Sequence, residues 1–123
     1  MRLDNDCIRD IMLYIEDNIH DHTDDVSFNI MSEELQQYDK ETLTYHIQIL
    51  KDGELIKDYA KAGYMGIISV NDLTWKGHQY LDNIREDHIW KAVKEKASKV
   101  GSVSLQVMIP LATAIIQQKL GLS

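Results

Sequence analysis

The sequence predicts an α+β fold, mainly helical, with one small β-hairpin set between helices. Two observations carry this expectation. Apolar residues recur at three- and four-residue spacing through most of the chain. Two short segments of period two, residues 54–59 and 64–70, flank Ala62 and Gly63. The predicted order is then helix, strand, helix, helix, strand, strand, helix, helix.

Residues 3–19 read as an amphipathic helix. Leu3, Cys7, Ile8, Ile11, Met12, Ile15 and Ile19 share one face, while Asp4, Asp6, Arg9, Asp10, Glu16 and Asp17 occupy the other. Asp4 and Asp6 suit the positive end of the helix dipole. The polar run from His20 through Asp21, His22, Thr23, Asp24 and Asp25 ends the helix as a solvated loop. Val26, Phe28 and Ile30 then alternate with polar neighbours, which predicts a short strand.

A second, short helix is expected from Ser32, with Ser32 or Asn29 as its cap. A third starts at Asp39 or Lys40, carries Leu43, Ile47 and Leu50 on its apolar face, and stops at Asp52 and Gly53, where Gly53 is expected to supply a left-handed cap. After the hairpin, Asp72 or Thr74 opens a helix whose stripe is Trp75, Tyr80, Leu81 and Ile84. It either continues or breaks near Glu86 and Asp87, ahead of Ile89, Trp90 and Val93. Gly101 punctuates the chain. Ser102 or Ser104 then caps a last helix to about Leu120, ended by Gly121. Pro110 is expected to bend this helix or to mark its first turn, because its ring removes a hydrogen bond and crowds the preceding turn.

Three helices with a small sheet whose hairpin projects as a wing make a winged helix-turn-helix. The expected organisation is a winged-helix domain over residues 1–93 and a C-terminal helical extension over 94–123, with 94–104 the one candidate hinge. Two motifs carry a resemblance. His46, Ile47, Leu50, Gly53, Leu55 and Ile56 are spaced like the recognition helix and wing entry of bacterial winged-helix repressors. Leu73, Thr74 and Gly77, followed by Tyr80 and Leu81, resemble the segment after the wing in the same proteins.

Over nearly its whole length the chain is also similar to domain of unknown function family 2513, small proteins of Gram-positive bacteria and their prophages. The shared pattern runs through Leu3 and Asp4, residues 9–16, Tyr45 and His46, Leu73 to Trp75, Gly77 and His78, residues 82–85, Trp90, and residues 103–105. That resemblance implies a regulatory or mobile-element setting, with no activity and no catalytic residues attached. Pro110 departs from it, since the family's final helix is expected to run unbroken.

At 123 residues with 44% hydrophobic content, the chain is long enough to bury a core. A lone cysteine, Cys7, forms no intrachain disulfide and fits a reducing cytoplasm. The apolar stretch 103–116 is too short and too mixed to span a bilayer, so no membrane partner is expected. Net charge is −7, but it is unevenly spread. Residues 1–39 hold eleven acids against Arg2 and Arg9, residues 40–70 hold four groups of each sign, and residues 71–123 hold seven basic groups against five acids. The acidity argues against tight non-specific binding to phosphates; its concentration in the first third weakens that objection.

If the chain reads double-stranded DNA, the third helix enters the major groove with Lys40, Thr44, Tyr45, Gln48 and Lys51 outward. Lys57, Lys61 and Tyr64 stand on the wing, near flanking backbone or minor groove. Leu105, Met108, Ile109, Ala112, Ile115 and Ile116 give the last helix an apolar surface suited to a homodimer; the alternative is that this helix folds back over Trp75 and Trp90. His46, beside the core face, is expected to be a packed or hydrogen-bonded histidine and not a contact residue. The two loop histidines lack metal-ligand spacing, so no metal or other cofactor is expected. No phosphate-cradling glycine loop or nucleophile motif is present, and the expectation is a DNA-binding transcriptional regulator and not an enzyme. The alternative is a winged-helix adaptor that binds a protein partner without touching DNA.

Overall fold

The structure, a computed structural model, describes residues 1–101 and 103–121. Among these residues it is α+β and mainly helical: six α-helices and a three-stranded antiparallel sheet. The chain divides into two compact units, Met1–His78 and Gln79–Ser123.

The first unit opens with α1, Asn5–Asn18. Asp4 caps it, its Oδ1 accepting from the backbone N–H groups of Asp6 at 2.9 Å and Cys7 at 3.2 Å. Helix α1 therefore starts two residues later than periodicity suggests, because the first carboxylate of the run is a cap and not a surface residue. Cys7, Ile8, Ile11, Met12 and Ile15 are fully buried.

Strand β1 is only Val26–Ser27, and α2 is Phe28–Glu34. The expected strand over 26–30 is thus corrected. Ser27 Oγ accepts from the Ile30 N–H at 3.3 Å and starts the helix five residues before the expected cap at Ser32. Phe28 and Met31, three apart, are buried, while Ile30 points outward.

Helix α3 spans Lys40–Asp52 and begins as expected at Asp39, whose Oδ1 accepts from the Thr42 N–H at 2.8 Å. That hydrogen bond to the ionised form holds the Asp39 carboxyl below its usual range. Leu43, Ile47 and Leu50 are fully buried, and α3 packs along α1. The C-terminus differs from expectation by one residue. Gly53 is right-handed, with φ −81°, and Glu54 takes the left-handed conformation, φ 61°. The Leu55 N–H reaches the Leu50 carbonyl at 2.8 Å and the Glu54 N–H the Lys51 carbonyl at 3.0 Å, so a Schellman cap closes with Glu54 where glycine is favoured. Glu54→Gly is therefore expected to stabilise the protein by about 1 kcal/mol, readable as a shift of the denaturant midpoint at constant slope; a lower midpoint would contradict the assignment.

Leu55 and Ile56 are both buried, which breaks the alternation read over 54–59. The strands are shorter and later: β2 is Tyr59–Lys61 and β3 is Ile67–Val70, joined by a single 3₁₀ turn at Gly63–Met65. The sheet order is β1-β3-β2, with Val26 opposite Val70 and Tyr59 opposite Val70 on the other edge. A bulge falls between Ala60 and Lys61.

Helix α4, Trp75–Ile84, starts at Thr74, whose Oγ1 accepts from the Gly77 N–H at 2.9 Å. Trp75, expected on the apolar stripe, is 79% exposed; the buried positions are Leu73, Gly77, Tyr80, Leu81 and Ile84. At Gly77 a Cβ would overlap the Leu55 carbonyl oxygen, so α4 passes closer to that backbone than any side chain permits.

In the second unit α5, Asp87–Ser98, is a separate helix, the break falling at Glu86 as one of the two expected outcomes. Ile89, Trp90, Val93 and Ala97 are buried, and the Lys94 ammonium lies 5.7 Å from the Trp90 ring centroid. Helix α6, Leu105–Lys119, packs along α5. It starts five residues before Pro110 and runs through it, so the proline does not mark the first turn. Ser104 stands at the cap position without a side-chain cap bond, and the other candidate cap, Ser102, lies outside the described residues. No helix among the described residues is long and apolar enough to cross a membrane.

Candidate nucleic-acid interface

The face of α3 opposite its core stripe carries Lys40, Glu41, Thr44, Tyr45 and Gln48, one to two turns apart. These five line a groove of about 320 Å³. Phe28 and Asn29 at the start of α2 form one wall, and Met65, Gly66 and Ile67 of the hairpin form the other. The fold thereby brings the outward residues of α3 and the turn of the hairpin to one concave surface. Thr44, Tyr45 and Gln48 are half-buried in it, and Lys40 at its edge is exposed, its Nζ 3.4 Å from Asn29 Oδ1.

The other predicted residues are placed differently. Lys51 is tied down: its Nζ donates to the Lys57 carbonyl at 2.9 Å and lies 4.0 Å from Asp58 Oδ1. It therefore fastens the end of α3 to the following loop and spends part of its charge on Asp58. Lys57 precedes β2, its N–H donating to the Asp72 carbonyl at 2.9 Å, so it stands on the loop and not on a hairpin strand. Lys61 ends β2, and Tyr64 sits fully exposed in the connecting turn. Glu41, Asp52, Glu54 and Asp58, the four acids of residues 40–70, are exposed among its four lysines. Phe28, Asn29, Met65, Gly66 and Ile67 were not among the predicted site residues. A serine ahead of Phe28 is the signal that would have placed the α2 wall.

Behind the groove, His46 is fully buried. Its Nε2 lies 2.8 Å from the Asp4 backbone nitrogen, an obligatory donor, so Nε2 accepts. Nδ1 then carries the proton and donates to the Thr42 carbonyl at 2.8 Å. The neutral ring pins the cap of α1 to α3, which is the packed, hydrogen-bonded role expected for it. Tyr38 adds a second tie, its hydroxyl donating to Asp10 Oδ2 at 2.7 Å. Burial, then that bond, raises the Tyr38 phenol above its ordinary range. Cys7 is likewise pushed up to about 12, by burial first and then by Asp4 and Asp10, which keeps the thiol protonated and unreactive.

The His20–Asp25 loop is bonded to itself, Asp21 Oδ1 accepting from the Thr23 hydroxyl at 2.6 Å and Asp24 Oδ2 from the His20 N–H at 3.3 Å. Among the described residues no group of three or more His, Cys, Asp or Glu is placed to hold a metal ion. Of the residues predicted for dimer contact, Leu105, Met108, Ala112 and Ile115 are buried, whereas Ile109 and Ile116 are half-exposed along one flank of α6. Leu122, which continues the apolar pattern of that surface in the sequence, lies outside the described residues.

Fold and site together define a small, mainly helical α+β protein whose third helix and hairpin turn share one mixed polar and apolar groove. The chain belongs to the family described as "Hypothetical protein (DUF2513)", whose profile matches residues 2–104. It is 32% identical over 123 residues to an uncharacterised protein of Haemophilus influenzae, covering 98% of this chain and 99% of that relative. No solved structure matches the chain.

Proposed function

We propose that the chain is a winged helix-turn-helix protein that binds double-stranded DNA as a homodimer, serves transcription regulation in the bacterial cytoplasm or on a prophage, and has no catalytic role. The order α1, β1, α2, α3, β2, β3 and the sheet order β1-β3-β2 support that architecture, with α3 as the recognition helix and the β2–β3 hairpin as the wing. The observation that carries the reading is the shared groove: Thr44, Tyr45 and Gln48 face outward beside Met65, Gly66 and Ile67, so helix and wing address one ligand surface. Gln48 suits adenine, whose N6 and N7 match its amide. Ile109 and Ile116, with the more exposed Leu120, offer a second copy an apolar flank of α6.

A second reading, a protein-binding adaptor, is favoured by the charge balance of residues 40–70 and by the apolar walls Phe28, Met65 and Ile67. Selection of duplexes from a random pool, at low and physiological salt, separates the two. Under the DNA reading Gln48→Ala lowers affinity for the retained motif by about 10- to 100-fold and leaves thermal stability unchanged. Gln48 is the better probe than Lys51, which also holds the Lys57 carbonyl. Unchanged binding by Gln48→Ala removes α3 from the recognition role.

A further inference from the structure

We propose that the hairpin tip, Tyr64 with Met65, is an apolar wedge that enters duplex DNA between adjacent base pairs, next to the bases read by α3. The proposal rests on the DNA-binding reading above and adds to it how the site gains affinity and what it does to the duplex.

Four observations converge on the tip. Tyr64 is fully exposed and Met65 is 75% exposed, two large apolar side chains side by side in the turn that joins β2 and β3. Neither serves the core, so folding alone does not account for them.

The tip is also firmly shaped. The Ala62 N–H donates to the Gly66 carbonyl at 3.0 Å and the Met65 N–H to the Ala62 carbonyl at 2.9 Å, closing the turn on itself. Gly63 and Gly66 bracket the pair at φ +52° and +85°, and a Cβ at either would meet nothing within 4 Å. Glycine stands at both positions for its backbone conformation and not for want of space. A pre-shaped turn presents its side chains with little ordering cost on binding.

The third observation is placement. Met65 lines the same groove as Lys40, Thr44, Tyr45 and Gln48, so when α3 lies in the major groove the tip meets the same stretch of duplex. The fourth is charge. The four lysines of residues 40–70 are matched by four acids, so counterion release supplies little of the affinity and apolar contact has to supply more. Unstacking a base step with an inserted side chain exchanges stacking for apolar contact and bends the duplex so that it meets more protein surface.

The test uses the full-length protein and a short duplex carrying the motif retained in the selection, with 2-aminopurine placed in turn at each position beside that motif. Binding is followed by anisotropy and unstacking by 2-aminopurine fluorescence on the same samples. The wild type is expected to raise the fluorescence at one step only, and Tyr64→Ser with Met65→Ser to abolish that rise while binding about tenfold more weakly. Both side chains are exposed, so the double variant melts with the wild type. Tyr64→Phe keeps the signal, because the wedge uses the ring and not the hydroxyl. Binding by anisotropy with flat fluorescence at every position overturns the wedge and leaves the DNA reading standing. Failure to retain any duplex removes the DNA reading, and the wedge with it.

Discussion

Gly77→Ala is expected to lower stability by about 3 kcal/mol, although alanine is the better helix former. At an ordinary solvent-facing position in a helix the same change stabilises by up to about 1 kcal/mol, so the sign of the effect is itself diagnostic. The reason is local. The Leu55 carbonyl accepts from the Thr74 N–H at 3.0 Å, and the Thr74 hydroxyl donates to the Glu54 carbonyl, which draws the first turn of α4 onto the end of the α3 cap. The added methyl would overlap the Leu55 oxygen and lie 3.0 Å from its carbon, and both are backbone atoms that cannot swing aside. Relief means moving α4 or breaking the Thr74 cap. Denaturant unfolding checks this, with Lys76→Ala, one residue earlier and exposed, as the control for helix propensity. Equal midpoints for the two variants would contradict the close approach.

His46→Ala is expected to cost about 3 kcal/mol as well, by a different route. Truncation leaves a cavity between α1 and α3 and strips the Asp4 N–H of its acceptor. Because Asp4 also caps α1, loosening it frees the Asp6 and Cys7 amides that its side chain holds. Amide exchange at those two positions should accelerate more than at the far end of α1. Wild-type stability in this variant would mean that the histidine ties nothing together.

Both effects arise from residues whose importance was only partly legible in the sequence. His46 could be read as a buried histidine from its place beside Leu43, Ile47 and Leu50, yet its partner Asp4 lies forty-two residues away and no local pattern names it. Gly77 stood inside a Leu-Thr-x-x-Gly resemblance, but as the member of the α4 stripe that has no side chain it hid the true face. The periodicity then recruited Trp75, which is exposed. Helix α3 and its Asp39 cap were legible because a strong three-four pattern and a cap agreed. Phe28 was misread because three alternating residues fit a strand, while Ser27, the residue that starts α2, falls between them. Glu54 in place of Gly53 at the left-handed position shows the same limit: composition favours glycine there, but hydrogen bonding to Leu50 and Lys51 decides which residue turns.

The site divides along the same line. Thr44, Tyr45 and Gln48 follow by subtraction once the core positions of α3 are known. The opposite wall, Met65 to Ile67, depends on pairing β3 with both β1 and β2, a long-range arrangement that spacing alone does not define.

Selection of duplex DNA from a random pool by the purified protein, with sequencing of what is retained at low and physiological salt, tests the central claim most directly. The account predicts enrichment of a short two-fold-symmetric motif, the symmetry reporting a dimer and the half-site spacing its geometry. Absence of retained duplex even at low salt would contradict it, and would make the groove between α3 and the hairpin a protein-binding surface.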